Sequence, residues 1–135
     1  MKKLSGSLED YLESIYVLKN KNGEIRLTDV ALDLKCSKPS VNKAVSQLKN
    51  EGYITQEKYG QIKLTSLGEK TAKEIYFRHE TLVNFLHNTL KVDHEIAKID
   101  ACKMEHVISP QTLTKLLEYM RKSENAKKRK IQNGN

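Results

Sequence analysis

Hydrophobic residues in the first 50 positions recur every three or four residues in three separate stretches, which predicts three amphipathic helices. The first covers about residues 7–19, with Ser7 as its N-cap and acidic residues in its first turn. The second is short, covers residues 29–34 and is capped by Thr28. The third runs from Pro39 to about Asn50, because proline is tolerated in a first helical turn.

After Gly52 the period changes to alternation, which is typical of strands. Residues 53–58 and 61–65 are predicted to form a β-hairpin that turns through Tyr59-Gly60. A helix, a short helix, a capped helix and a hairpin in this order are typical of a winged helix-turn-helix.

The helical period returns in the second half of the chain and predicts three more helices. They begin near residues 65–68, at Val92-Asp93 and at Ser109-Pro110, and end near Leu90, Val107 and Lys122. We therefore expect a mainly α protein with a winged-helix DNA-binding domain (residues 1–68), a second, helical domain (69–122) and a disordered basic tail (123–135).

Composition narrows the class of protein without deciding its function. With 38% hydrophobic and 30% charged residues, the chain has the composition of a soluble globular protein, and no apolar run approaches the roughly 20 residues of a membrane span. The N-terminus lacks the apolar stretch of a secretory signal, so we expect a cytoplasmic protein without a membrane partner. The net charge of +7 lies mostly in the tail, so a DNA-binding function must rest on pattern.

The third helix would present its N-terminal side chains to the DNA major groove. Asparagine and lysine can read base edges there, and serine and lysine can hold phosphates. The alternative is an ordinary solvated helix face. The candidate DNA-binding residues, including one at the second helix and one at the wing, are Thr28, Ser37, Lys38, Pro39, Ser40, Asn42, Lys43 and Lys58.

Six potential metal ligands stand out in the sequence, and five of them share helix faces by their spacing. Asp10 and Glu13 are three residues apart on the first helix, while Cys102, Glu105 and His106 follow i, i+3, i+4 spacing on the fifth. With His79 they form a set of donors that suits a divalent first-row metal ion. Each has an ordinary explanation alone: helix-start acids, a small buried cysteine or a surface histidine.

Two other functions remain open at this point. A metalloenzyme would need an open coordination position and a base near bound water, but the chain has no HExxH motif and no separate catalytic trio. A winged-helix regulator without metal dependence is the second alternative, and the complete set of six donors argues against it. No residue pattern indicates a small organic substrate.

Several stretches resemble, in order, the diphtheria-toxin-repressor family of iron- and manganese-dependent regulators. They are Glu9–Tyr16, Pro39-Ser40-Val41, Leu64–Gly68, Arg78-His79-Glu80 and Cys102–Ser109. The resemblance covers roughly residues 7–119. It implies a homodimeric repressor of metal-homeostasis genes that binds palindromic double-stranded operator DNA, with Fe²⁺ or Mn²⁺ as corepressor.

By position, the resemblance implies metal ligands at the six donors named above, bound where the DNA-binding and dimerisation halves meet. The set is a hybrid, because the acid at Asp10 is typical of manganese-type members and Cys102 of iron-type members. Val83 and Lys98 stand where iron-type ancillary ligands would fall, so a two-ion cluster sharing Glu13, His79 and Glu105 is favoured. Zn²⁺ or Co²⁺ could substitute in vitro, and the chain ends before the SH3-like domain of longer members.

Overall fold

The structure is a computed structural model that describes residues 4–132. It confirms the mainly α fold with one two-stranded wing. The elements are α1 (Gly6–Asn22), α2 (Leu27–Leu34), α3 (Lys38–Asn50), β1 (Ile54–Gln56), β2 (Ile62–Leu64), α4 (Ser66–Asn84), α5 (His94–Met104) and α6 (Pro110–Gln132).

The chain divides into two compact units between Tyr76 and Phe77, inside α4 and later than the boundary predicted at residue 68. We call them the first unit and the second unit. None of the described helices is long and apolar enough to cross a membrane.

The core of the first unit is built from large aliphatic side chains of α1, α2, α3, the wing and the start of α4. The strands β1 and β2 are antiparallel, with Ile54 opposite Leu64 and Gln56 opposite Ile62. Alternation along each strand therefore places Ile54 and Ile62 in the core. The side chains that are nearly inaccessible to solvent in this core are Leu12, Ile15, Ile25, Val30, Val41, Val45, Leu48, Ile54, Ile62 and Ile75.

Serine side chains cap two helices of the first unit. Ser37 caps α3, because its hydroxyl accepts a hydrogen bond from the Ser40 N–H at 3.3 Å. The predicted cap of α1 was wrong: Ser5 has the extended backbone of a cap and accepts from the Leu8 N–H at 3.2 Å, which leaves Ser7 inside the first turn. Thr28 also lies inside its helix, since α2 begins one residue earlier, at Leu27.

The link from the wing to α4 depends on a close backbone approach at Gly68. The Thr65 hydroxyl accepts from the Gly68 N–H at 3.1 Å and donates to the Gly52 carbonyl at 2.6 Å. A Cβ atom on Gly68 would clash with the Tyr53 carbonyl oxygen. Only glycine fits here, which gives a physical reason for the Leu64–Gly68 motif.

The second unit contains the end of α4, a π-helical turn at residues 85–89, and helices α5 and α6. Its buried core is small, consisting of Leu82, Val83, Leu86, Ala97 and Ala101, with partly buried neighbours such as Leu116. The helix α5 ends at Met104, earlier than predicted.

The helix α6 continues to Gln132, so residues 123–132 are helical where we expected a disordered tail. No proline or glycine interrupts residues 111–132, and lysine, arginine, glutamate and alanine all favour helix. The last part of the predicted tail, residues 133–135, lies outside the described residues.

Candidate metal centre and DNA-binding surface

Glu105 is a completely buried carboxylate in the second unit. It occupies the C-cap of α5 with helical backbone angles, and its N–H still donates to the Ala101 carbonyl at 2.9 Å. The helical spacing from Cys102 to Glu105 therefore holds even though the regular helix ends at Met104. An ionised carboxylate without water is strongly unfavourable unless it is compensated.

The groups that face Glu105 in the second unit are two imidazoles. Nδ1 of His79 lies 3.5 Å from one carboxylate oxygen, and Nε2 of His106 lies 3.6 Å from the other. Both distances are too long for good hydrogen bonds. Within residues 4–132, neither oxygen of Glu105 accepts a hydrogen bond.

Each of these two distances is close to that expected for a pair of ligand atoms on one metal ion, although only His79 belongs, with Glu105, to a group of three or more potential ligand atoms that all lie within 4.8 Å of one another. Two ligand atoms that bind one ion at about 2.1 Å lie about 3.0–3.5 Å apart, depending on the coordination angle. Carboxylate and imidazole are also the donors that divalent first-row metal ions prefer in proteins. The residues present in the second unit therefore suit such an ion.

Cys102 lies on α5 and is exposed, so the alternative that it packs in a dry core is wrong. A ligand atom of Cys102, its sulfur, lies within 4.8 Å of a carboxylate oxygen of Glu105. The other cysteine, Cys36, is half-buried and donates to the Leu34 carbonyl at 3.4 Å. A hydrogen bond with Cys36, together with burial, raises the pKa of Tyr11.

The two remaining predicted ligands, Asp10 and Glu13, belong to the first unit. Both lie on α1 and are half-buried, and their i, i+3 spacing places them on one face of that helix. Glu9, which the sequence analysis did not single out, is buried beside them.

The outer face of α3 is a polar surface that fits the predicted DNA-binding role. All the candidate residues of its N-terminal part are exposed, on the side opposite the buried core positions Val41, Ala44, Val45 and Leu48. The Ser37 hydroxyl is used within the protein, since it also donates to the Ser40 hydroxyl at 2.8 Å. Lys38, Asn42 and Lys43 are therefore the side chains best suited to read bases, and Thr28 and Lys58 are also exposed.

Sequence reasoning missed one contact of this surface. The guanidinium Nη1 of Arg26, just before α2, donates to the Tyr59 carbonyl of the wing at 3.0 Å. The two residues are 33 positions apart, and no local pattern connects them. The only sequence signal was the predicted turn at Tyr59-Gly60.

Two family models match the chain. The model described as iron dependent repressor, N-terminal DNA binding domain, matches residues 3–62. The model described as iron dependent repressor, metal binding and dimerisation domain, matches residues 65–131.

Individual relatives agree with these models. The chain is 38% identical to an uncharacterized HTH-type transcriptional regulator of Methanocaldococcus jannaschii, over 88% of this chain and 96% of the relative. It is 37% identical to the HTH-type transcriptional regulator MntR of Bacillus velezensis, over 90% of this chain and 87% of the relative.

Among solved structures, the manganese regulator SloR is similar with a TM-score of 0.76 and 26% identity. The match covers 89% of this chain and 55% of SloR, so the chain spans about half the length of that regulator.

Proposed function

This chain belongs to the family of iron-dependent repressors, and we propose that it represses transcription by binding palindromic operator DNA as a homodimer when its metal site is filled. The family consists of metal-dependent, DNA-binding transcription regulators and not of enzymes. The regulated genes, in this proposal, are those that control the supply of the same metal, and the repressor acts in the cytoplasm.

The observation that carries the proposal is the buried carboxylate of Glu105 between two imidazoles. We assign His79, Glu105 and His106 to the metal site on their distances, and Cys102 on the proximity of its sulfur. Asp10 and Glu13 complete the proposed ligand set. Their support is their donor chemistry, their shared face on α1 and their position in the family pattern.

The proposed corepressor is Fe²⁺ or Mn²⁺. The thiolate of Cys102 is the softer donor and favours Fe²⁺, whereas the carboxylates favour Mn²⁺. SloR is described as a manganese regulator, which supports the second choice. Glu13, His79 and Glu105 could be shared by two ions in one subunit, and Zn²⁺ or Co²⁺ would bind the same donors in vitro.

The residues of the site explain how metal and DNA binding are coupled. Without compensation, the charges of Asp10, Glu13 and Glu105 repel one another and oppose any arrangement that gathers them. The ion, when bound, supplies the positive charge that lets these donors converge. The first unit holds Lys38, Asn42 and Lys43 on α3, so gathering the acids favours one arrangement of the DNA-binding surface. Metal and DNA then increase each other's affinity.

Metal-titrated DNA binding tests this function. Duplexes selected from a random-sequence pool by the Mn²⁺-loaded protein would serve as probes, and affinity would be followed by fluorescence anisotropy with Mn²⁺, with Fe²⁺ under anaerobic conditions, and after chelation. We expect chelation to weaken binding by at least about tenfold, as a typical allosteric coupling does. Equal affinity after thorough chelation would contradict metal dependence and would favour the regulator without metal sensing.

A further inference from the structure

Two histidines outside the predicted metal centre lie together in the second unit. The ring centres of His87 and His94 are 5.0 Å apart, and the ring planes are inclined by 72°. His87 belongs to the π-helical turn after α4 and is half-buried, whereas His94 is the exposed first residue of α5. The proposed function uses neither residue, although imidazole is the commonest metal-binding side chain in proteins.

A backbone carbonyl determines which nitrogen of His87 can bind a ligand. Nδ1 of His87 lies 2.9 Å from the carbonyl oxygen of Val92. Because that oxygen can only accept, Nδ1 carries the proton and donates it, and the neutral ring keeps its lone pair on Nε2. Metal-binding histidines almost always donate their other N–H to a carbonyl or a carboxylate in this way. His87 is therefore already oriented as a ligand that binds through Nε2.

The separation of the two rings suits one shared ion. An imidazole bound at about 2.1 Å has its ring centre about 3.2 Å from the ion, so two rings at the tetrahedral angle have centres about 5.2 Å apart. The observed separation of 5.0 Å agrees with this value. Since His94 is exposed, rotation of its side chain can direct a nitrogen to the ion without any change in the core.

The charges around the two rings permit a bound cation. His87 lies in the last turn of a helical segment, where free carbonyls favour a cation, whereas His94 lies in the first turn of α5, where free N–H groups disfavour one. Asp93 and Glu95 flank His94 and supply negative charge, although the Asp93 carboxylate also accepts from the Glu95 N–H at 3.2 Å and Glu95 is paired with Lys98 at 3.0 Å. The helix ends therefore offset each other, and the acids favour the cation.

The two histidines stand near the ends of one tight connection between α4 and α5. This connection contains the π-helical turn and a left-handed residue, Lys91 (φ 64°). π-Helical turns are rare and occur frequently at functional sites. An ion held by His87 and His94 would join the end of α4 to the start of α5, the helices that carry the candidate ligands His79 and Cys102.

We propose that His87 and His94 form a second metal site, separate from the predicted metal centre, for divalent ions that prefer nitrogen donors, such as Zn²⁺, Ni²⁺ or Cu²⁺. Among the described residues the pair belongs to no group of three or more potential ligands within 4.8 Å of one another, so the remaining coordination positions are left to water. Imidazole suits these ions, whereas Mn²⁺ prefers oxygen donors, so the site discriminates against Mn²⁺. This inference does not depend on the proposed repressor function.

Nuclear magnetic resonance of the imidazole nitrogens observes both metal sites in one Zn²⁺ titration. The chain has four histidines, so long-range ¹H–¹⁵N spectra contain four imidazole patterns, which single His→Gln variants assign. In the metal-free protein we expect His87 to be protonated on Nδ1. With Zn²⁺, Nε2 of His87 and one nitrogen of His94 should move to the chemical shift of a metal-bound nitrogen. His79 and His106 report the predicted metal centre in the same spectra.

Substitution separates metal binding from packing of the rings. His87→Gln and His94→Gln should each weaken this Zn²⁺ site by more than about tenfold, since loss of a residue that merely supports a ligand already has an effect of that size. Calorimetry and metal analysis after dialysis would measure the affinity and the number of bound ions. Asn88→Gln, at an exposed neighbouring position, is the matched control and should bind Zn²⁺ like the wild type. Because His94 is exposed, its variant should keep the wild-type melting temperature in chelator, which excludes damage to the fold.

The outcomes distinguish this site from the predicted metal centre. Metal-bound shifts at all four histidines would support both sites. Metal-bound shifts at His87 and His94 alone would support this inference and contradict the centre. If only His79 and His106 respond, or if His94→Gln binds Zn²⁺ as the wild type does, the two rings merely pack edge to face and the inference is overturned. No response at any histidine would contradict both sites.

Discussion

The two units differ in the size and the chemistry of their buried cores. The first unit surrounds a large core of leucine, isoleucine and valine from six elements, and its helix ends are closed by caps such as Ser5 and Ser37. Among the described residues, the second unit has a smaller core of two leucines, one valine and two alanines, and it buries the carboxylate of Glu105 completely.

This difference predicts which unit depends on a bound metal ion for its stability. Apolar burial contributes to stability under any ionic condition. A buried carboxylate contributes only when something compensates its charge. We therefore expect the first unit to be a stable DNA-binding platform and the second to be the part whose stability depends on a bound cation.

Truncation of the first core should give the largest loss of stability. Leu48 on α3 is fully buried, so Leu48→Ala should lower the free energy of unfolding by about 3–4 kcal/mol through lost burial and a cavity. Leu32→Ala is the control, because that side chain is 79% exposed and its loss should change stability by less than about 0.5 kcal/mol. Urea unfolding with and without Mn²⁺ would measure both. A loss that Mn²⁺ largely restores would contradict the independence of this core from metal.

Neutralising the buried acid should stabilise the metal-free protein and remove its stabilisation by metal. Glu105→Gln removes a buried negative charge whose oxygens accept no hydrogen bond from the described residues, so the metal-free protein should become more stable. The stabilisation by Mn²⁺, about 2.7 kcal/mol at a free concentration 100 times Kd, should disappear. Thermal melting in chelator and in Mn²⁺ would check both halves of the prediction. A variant that is less stable without metal, yet still gains stability from Mn²⁺, would not fit this account.

The contact between the wing and α4 should tolerate no side chain. Gly68→Ala would push a methyl group into the Tyr53 carbonyl, and we expect a loss of about 1–3 kcal/mol from overpacking. Because the clash lies in the first unit, Mn²⁺ should not relieve it. Chemical unfolding would measure the loss, and wild-type stability of this variant would show that the approach at Gly68 is not needed.

Exchange of the exposed thiol should have the smallest effect on stability and a clear effect on metal preference. Cys102→Glu changes an exposed position, so the stability of the metal-free protein should shift by less than about 0.5 kcal/mol. A carboxylate in place of a thiolate should favour Mn²⁺ over Zn²⁺ and Co²⁺. The wild-type Co²⁺ complex should show an intense near-ultraviolet charge-transfer band that the variant lacks. Absence of that band in the wild type would remove Cys102 from the ligand set.

Periodicity was sufficient to predict the helices and the wing, because each depends on which face of a local segment is apolar. Caps were less predictable: Ser5 and Ser7 are both suitable, and only the backbone angles decide between them. Residues 123–132 were predicted to be disordered because they are highly charged, but they are good helix formers and belong to α6.

The sequence was sufficient to predict the candidate donors of the metal centre, but not which of them are buried. Spacing placed Cys102 and Glu105 on one face, and the imidazole of His79 belonged to the same set of predicted donors. That Glu105 is fully buried while Cys102 is exposed depends on packing between helices distant in sequence. The contact between Arg26 and Tyr59 was missed for the same reason, since it is made by tertiary structure alone.

Direct Mn²⁺ binding by wild type and Glu105→Gln tests the central claim, that this buried acid is a metal ligand. Electron paramagnetic resonance of free Mn²⁺ would give both affinities, with Glu118→Gln as a charge-matched control at an acid on α6 that is half-exposed and paired with Lys115 at 3.5 Å. We predict that wild type and Glu118→Gln bind Mn²⁺ equally, and that Glu105→Gln binds it more than about a hundredfold more weakly. Equal Mn²⁺ affinity for wild type and Glu105→Gln would contradict the account.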